Sequence, residues 1–88
     1  MQRSEILAKV KTLIMETTNG VTEADITEDA SFQGLGLDSL KLVELSVRVE
    51  DVFGEDVILD DWVEEESVKG VDGFKVASFL DYIERTAG

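Results

Sequence analysis

The stretch Gly34-Leu35-Gly36-Leu37-Asp38-Ser39-Leu40 constrains this chain more than any other, because it turns the backbone and then starts a helix at a defined residue. Asp38 is of the type that caps the first free N–H groups of a helix, which puts Ser39 in the first turn. From Leu40 to Phe53 the apolar residues keep a helical period, and Gly54 supplies the stop. A hydroxyl beside the positive end of a helix dipole is suited to carrying a phosphate, so Ser39 reads as a modification site.

The helix that follows has two apolar faces. At about 100° per residue, Leu42, Leu45, Val49, Val52 and Phe53 fall on one stripe. Leu40, Val43 and Val47 fall on a second, roughly 160° from the first by the same arithmetic. Two readings are open. Either the helix is central and buried on both sides, or the second stripe is a contact strip for a partner. On the second reading Glu44, Glu50 and Asp51 give the strip an acidic border.

A chain of 88 residues supports one domain with a modest core, so residues 1–88 are expected to form a single unit. It contains no cysteine and no histidine, which removes disulfides, thiolate metal sites and imidazole bases together. No stretch has the apolar length of a membrane span, and Met1-Gln2-Arg3-Ser4-Glu5 does not lead into a signal-peptide core. These features predict a cytoplasmic protein. The formal net charge of −12 is uneven, with nine acidic side chains and no basic one across residues 49–68. Such a surface repels nucleic acid and anionic membrane, and it suits docking to basic patches on other proteins.

Along the chain, Ser4 is the expected cap of a first helix reaching about Thr17, with Ile6, Leu7, Val10, Leu13 and Ile14 on its buried face. Asn19-Gly20 ends it. Residues 18–38 form a long connection whose Val21, Ile26, Phe32, Leu35 and Leu37 are expected to pin it onto the helices. Glu55 to Leu59 reads as a connector. Asp61-x-x-Glu64 has capping-box spacing, so a short helix is predicted over 61–67 with Trp62 or Val63 turned inward. Gly70-Val71-Asp72-Gly73 reads as a loop, and a last helix is predicted over 74–85 with Val76, Phe79, Leu80 and Ile83 buried. The expected fold is all-α: an antiparallel four-helix bundle of three longer helices and a short third one, with the long loop between the first two.

An Asp-Ser-Leu triplet by itself is a weak signal, since Asp and Ser are both ordinary helix-capping residues. Its context is more informative. Asp29-Ala-Ser-Phe-Gln-Gly-Leu-Gly-Leu-Asp38-Ser39-Leu40, followed by Val43-Glu44-Leu45 and Phe53-Gly54, resembles the acyl carrier protein family and the related carrier domains of polyketide and peptide synthetases. The resemblance runs from the first helix to Phe79-Leu80-Asp81-Tyr82-Ile83, strongest around Ser39 and loosest over 59–75. It implies that Ser39 receives 4′-phosphopantetheine from coenzyme A and that the arm tethers acyl intermediates as thioesters. It also implies a recognition helix at 39–53, on which Asp38, Leu40, Val43, Glu44, Val47 and Asp51 are the expected partner-contact residues. The implied partners are a phosphopantetheinyl transferase and acyltransferase, ketosynthase or ligase-type enzymes with basic docking patches, served by a monomer.

Three departures from the family pattern favour a specialised polyketide or mixed polyketide/peptide pathway over primary fatty-acid synthesis. Lys41 stands where an acidic or polar residue is common, 59–73 with Trp62 is long, and Lys75 replaces a capping threonine. Asp38 before the serine is of the acyl rather than the peptidyl type. Ser39 as a catalytic nucleophile is excluded for want of a base, so the chain is not expected to be an enzyme. A calcium loop from Asp25 through Thr27 and Asp29 is excluded because Ala30 stands where the turn needs glycine, and no metal site is expected. Glu64-Glu65-Glu66 reads as a solvated helix face. The alternative class is a non-covalent acidic interaction module in which Asp38-Ser39 is only a cap; within the family, the alternatives are a fatty-acid-synthesis carrier or an aminoacyl or peptidyl carrier.

Overall fold

The computed structural model describes residues 2–69 and 73–87. Among them are four α-helices: α1 at Arg3–Thr17, α2 at Ser39–Phe53, α3 at Leu59–Ser67 and α4 at Val76–Ala87. They form a small helical bundle, as the periodicity predicts. α1 packs on α2 and α4, and α3 packs on α2.

The first helix starts differently from expectation. Gln2, not Ser4, holds the cap position in extended backbone, and no side chain caps it. Its carbonyl accepts from the Glu5 and Ile6 N–H groups at 3.1 and 3.0 Å, so the helix starts two residues earlier and Ser4 lies within its first turn. Ile6, Val10, Leu13 and Ile14 enter the core, and Leu7 packs at its margin. Thr17 and Thr18 are also buried, which is tolerated because their hydroxyls donate to the Leu13 and Ile14 carbonyls at 2.7 and 2.8 Å.

The long connection is held down by its apolar residues. Ile26, Phe32, Leu35 and Leu37 are buried, Val21 is half-buried, and one 3-10 turn at Glu23–Asp25 interrupts the segment. Asp25 accepts from the Thr22 backbone N–H at 3.0 Å, and that bond with the Thr22 hydroxyl holds its carboxyl below the usual range. The connection also supplies α4 with acceptors. The Val76 and Ala77 N–H groups, which no earlier turn can satisfy, donate to the Ala30 and Glu28 carbonyls at 2.9 Å each. Arg3 draws the same corner together by donating to Glu28, Asp81 and Glu84 at 2.7 Å each.

Two boundaries shift in the second half. The third helix begins at Leu59 rather than Asp61, with Ile58 at the cap and no side-chain bond, so the expected capping box does not form. Burial explains the earlier start: Val57 and Leu59 face the core while Ile58 is exposed. Helix α4 runs two residues later than predicted, because Phe74 takes a left-handed backbone conformation (φ 63) and Lys75 forms a bridge with Ser31 that ties the segment to the connection. Most of the predicted loop at 70–73 lies outside the described residues.

Trp62 is the centre of the core. Its ring lies 4.7 Å from Phe32 and 4.8 Å from Phe79, centroid to centroid, and Trp62 Nε1 donates to Ser78 Oγ at 3.4 Å. These tilted contacts join α3, α4 and the connection in one cluster, so Trp62→Ala is expected to cost about 3–5 kcal/mol.

Candidate functional site

The site is built where the connection meets α2. Gly36 takes φ 83, a left-handed value that glycine adopts without strain, and this turns the chain toward the helix. The Leu37 N–H then donates to the Phe32 carbonyl at 3.0 Å, fixing the turn to the core. Asp38 is extended and its side chain accepts from the Lys41 backbone N–H at 3.0 Å. Its carbonyl accepts the first intrahelical bond, from Leu42, at 2.8 Å. The Ser39 and Leu40 amides precede that bond and point out of the helix start, where an anion is stabilised.

Ser39 is exposed, and among the described residues its hydroxyl makes no side-chain hydrogen bond. Beside it lies a shallow hollow of about 330 Å³, lined by apolar Phe32, Leu37, Leu42 and Phe74 and by polar Gln33 and Asp38. A free hydroxyl at a helix start, next to a partly apolar recess, fits a phosphate-linked arm. Among the described residues no group of three His, Cys, Asp or Glu side chains has the arrangement to hold a metal ion.

The second stripe of α2 lies in solvent. Leu40, Val43 and Val47 are 67%, 63% and 59% exposed, whereas Leu45 and Val49 are fully buried. Burial on both sides is therefore overturned. Val52, placed by period on the core stripe, is 41% exposed at its margin. Glu50 and Asp51 are exposed beside the strip, and Glu44 pairs with Lys41 at 3.8 Å. The border is thus partly neutralised at its Ser39 end.

Two residues of the site escaped sequence reading. Glu66 is 1% exposed rather than solvated. It accepts from the Phe74 backbone N–H at 3.0 Å and pairs with Lys69. Burial alone would raise its pKa, but hydrogen bonds from Lys69, Ser78 and the Phe74 N–H outweigh that and hold it below the usual range. Its spacing was the missed signal: Leu59, Trp62 and Glu66 stand at i, i+3 and i+7, one face of the helix. Phe74, on the wall of the hollow, has φ 63. That conformation costs a residue with a bulky side chain on the order of 1 kcal/mol or more, and nothing in a phenylalanine announces it.

A family model described as a phosphopantetheine attachment site matches residues 8–71. The acyl carrier protein of Thermotoga maritima is 39% identical over 87 residues, covering 98% of this chain and 96% of the relative. That of Rubrobacter xylanophilus is 41% identical over 58 residues, covering 65% of this chain and 70% of its own. The Guillardia theta protein of the same name is 43% identical over 58 residues, with the same coverage. No solved structure matches. The prosthetic group that goes with this match is 4′-phosphopantetheine. Matched over most of its length by that model and end to end by a named relative, the chain belongs to the acyl carrier protein family.

Proposed function

We propose that this chain is a single, monomeric, cytoplasmic carrier unit that holds acyl intermediates as thioesters on a 4′-phosphopantetheine arm joined to Ser39. The observation that carries the reading is the exposed Ser39 hydroxyl, free of side-chain bonds, at the capped start of α2. In the loading step Ser39 Oγ forms a bond to the phosphorus that bears the pantetheine in coenzyme A. The phosphoanhydride bond breaks, the adenosine bisphosphate half leaves, and the hydroxyl proton passes to a base of the transferase. The bound arm supplies the thiol that this cysteine-free chain lacks. The chain itself takes no catalytic role.

Leu40, Val43 and Val47 then form the apolar contact for the transferase and for acyltransferase, ketosynthase or ligase-type enzymes, with Asp38, Glu44 and Asp51 meeting their basic patches. The departures at Lys41, Lys75 and the Trp62 segment favour a specialised polyketide or mixed pathway. Incubation with coenzyme A and a phosphopantetheinyl transferase tests the central claim. The expected result is an intact-mass gain of one phosphopantetheinyl group, mapped to the peptide holding Ser39. An unchanged mass, or a gain at Ser31 or Ser46, overturns it.

A further inference from the structure

The hollow beside Ser39 is lined in part by a residue in a strained conformation, and a buried carboxylate holds that residue in place. Phe74 has φ 63, and both of its backbone polar groups are engaged: its N–H donates to Glu66 at 3.0 Å and its carbonyl accepts from the Phe32 N–H at 2.7 Å. Its ring meets Trp62 edge-on with centroids 5.9 Å apart. Strained backbone persists only where its surroundings fix it, and such residues gather at functional positions. Phe32 and Leu37 are almost wholly buried, so half-buried Leu42 and Phe74 supply the apolar surface still open in the hollow.

The chemistry of the arm says what meets that surface. Outward from the phosphate, a methylene leads to a quaternary carbon with two methyl groups; the hydroxyl, the amides and the thiol come after. The arm is therefore apolar first where it leaves Ser39, and the hollow reaches Ser39 itself. We propose that the geminal dimethyl group of the arm seats between Leu42 and Phe74, and that Glu66 is a positioning residue that sets this wall by fixing Phe74. Seating removes apolar surface from water and gives the arm a preferred direction at its root, leaving the thiol end free. The inference rests on Ser39 as the attachment point.

The test compares the apo protein with the protein loaded from coenzyme A by a transferase, using proton cross-relaxation between the arm methyls and protein side chains. Complete loading is first verified by mass, so failure of attachment is seen separately from failure of seating. In the loaded wild type, methyl contacts to the Phe74 ring and Leu42 are expected. Phe74→Gly suits the left-handed backbone and removes the ring, so in the material verified by mass as loaded the arm methyls should lose their contacts, including those to Leu42. Glu66→Ala should weaken them, while Glu66→Gln, which keeps an acceptor for the Phe74 N–H, should restore them. Full loading without these contacts in the wild type overturns the proposal, as do contacts that persist to Leu42 undiminished in Phe74→Gly. Contacts unchanged in Glu66→Ala overturn the part assigned to Glu66.

Discussion

Asp38 caps α2 through the backbone N–H of Lys41 at 3.0 Å, which frees the neighbouring Ser39 hydroxyl from any structural duty. The two residues therefore separate in their effects. Ser39→Ala should abolish loading while changing stability by no more than about 0.5 kcal/mol. Asp38→Ala keeps the hydroxyl but loses the cap, at a cost of about 1 kcal/mol. Circular dichroism melts beside intact-mass loading assays check both. A larger stability loss for Ser39→Ala than for Asp38→Ala would mean that the hydroxyl, not the carboxylate, holds the helix start.

Glu66 predicts a pH dependence with a definite sign. Its folded-state pKa is depressed, because the donors from Lys69, Ser78 and Phe74 outweigh burial. Its stabilising contribution is therefore complete above the unfolded value of about 4.3 and fades as pH falls through the folded value. Asp25 is depressed as well, so the acid slope of the wild type is shared. The difference between wild type and Glu66→Gln isolates Glu66. At neutral pH the variant should be less stable by about 1 kcal/mol, and this gap should close as the pH drops below about 4. Urea titrations across that range measure it; a gap that stays constant removes Glu66 as the titrating group.

Like charge along residues 49–68 should make the fold respond to salt. Glu65 pairs with Arg85 at 3.1 Å and Glu66 with Lys69, while Glu50, Asp51, Glu55, Asp56, Asp60, Asp61 and Glu64 are exposed. Added salt screens their repulsion over about 10 Å at 0.1 M and should raise the melting temperature. The same salt weakens the exposed Arg3 cluster, a surface network worth about 1 kcal/mol. Arg3→Gln should therefore be less stable at low salt and show a steeper rise. Melting curves that coincide at low and moderate salt would remove charge repulsion as a significant contribution.

How far the chain could be read depended on which physical signal each element carries. The second helix was legible at both ends because Asp38 caps it through a side chain and Gly54, at φ 95, stops it. Ser39 followed from that boundary. The start of α1 was not legible, since Gln2 caps by backbone alone and Ser4 offered a more familiar residue two positions late. Glu66 was hidden by its neighbours: three successive glutamates suggest solvent, and the partners that make burial of one tolerable, Phe74 and Ser78, come from beyond the helix. Phe74 was hidden more deeply. Its left-handed backbone comes from Glu66 and Phe32 acting from outside, and no local preference of phenylalanine points to it.

The exposed strip on α2 gives the sharpest comparison of two variants. Val47 is 59% exposed, so Val47→Asp should shift stability by no more than about 0.5 kcal/mol. In a docked complex the same carboxylate would lose water without a partner, and binding should weaken about tenfold or more, at low and moderate salt alike. Glu44 acts through the field rather than the contact. Glu44→Arg removes a border charge, releases Lys41 from its 3.8 Å pair and places like charges three residues apart, at a cost of a few tenths of a kcal/mol. It should slow association with a basic transferase and flatten the dependence of that rate on salt. Stopped-flow association at several ionic strengths, run beside thermal melts, separates the two effects. If Val47→Asp leaves docking unchanged while its melt stays intact, the strip is not the contact surface, and the exposed Leu40 and Val43 lose that role with it.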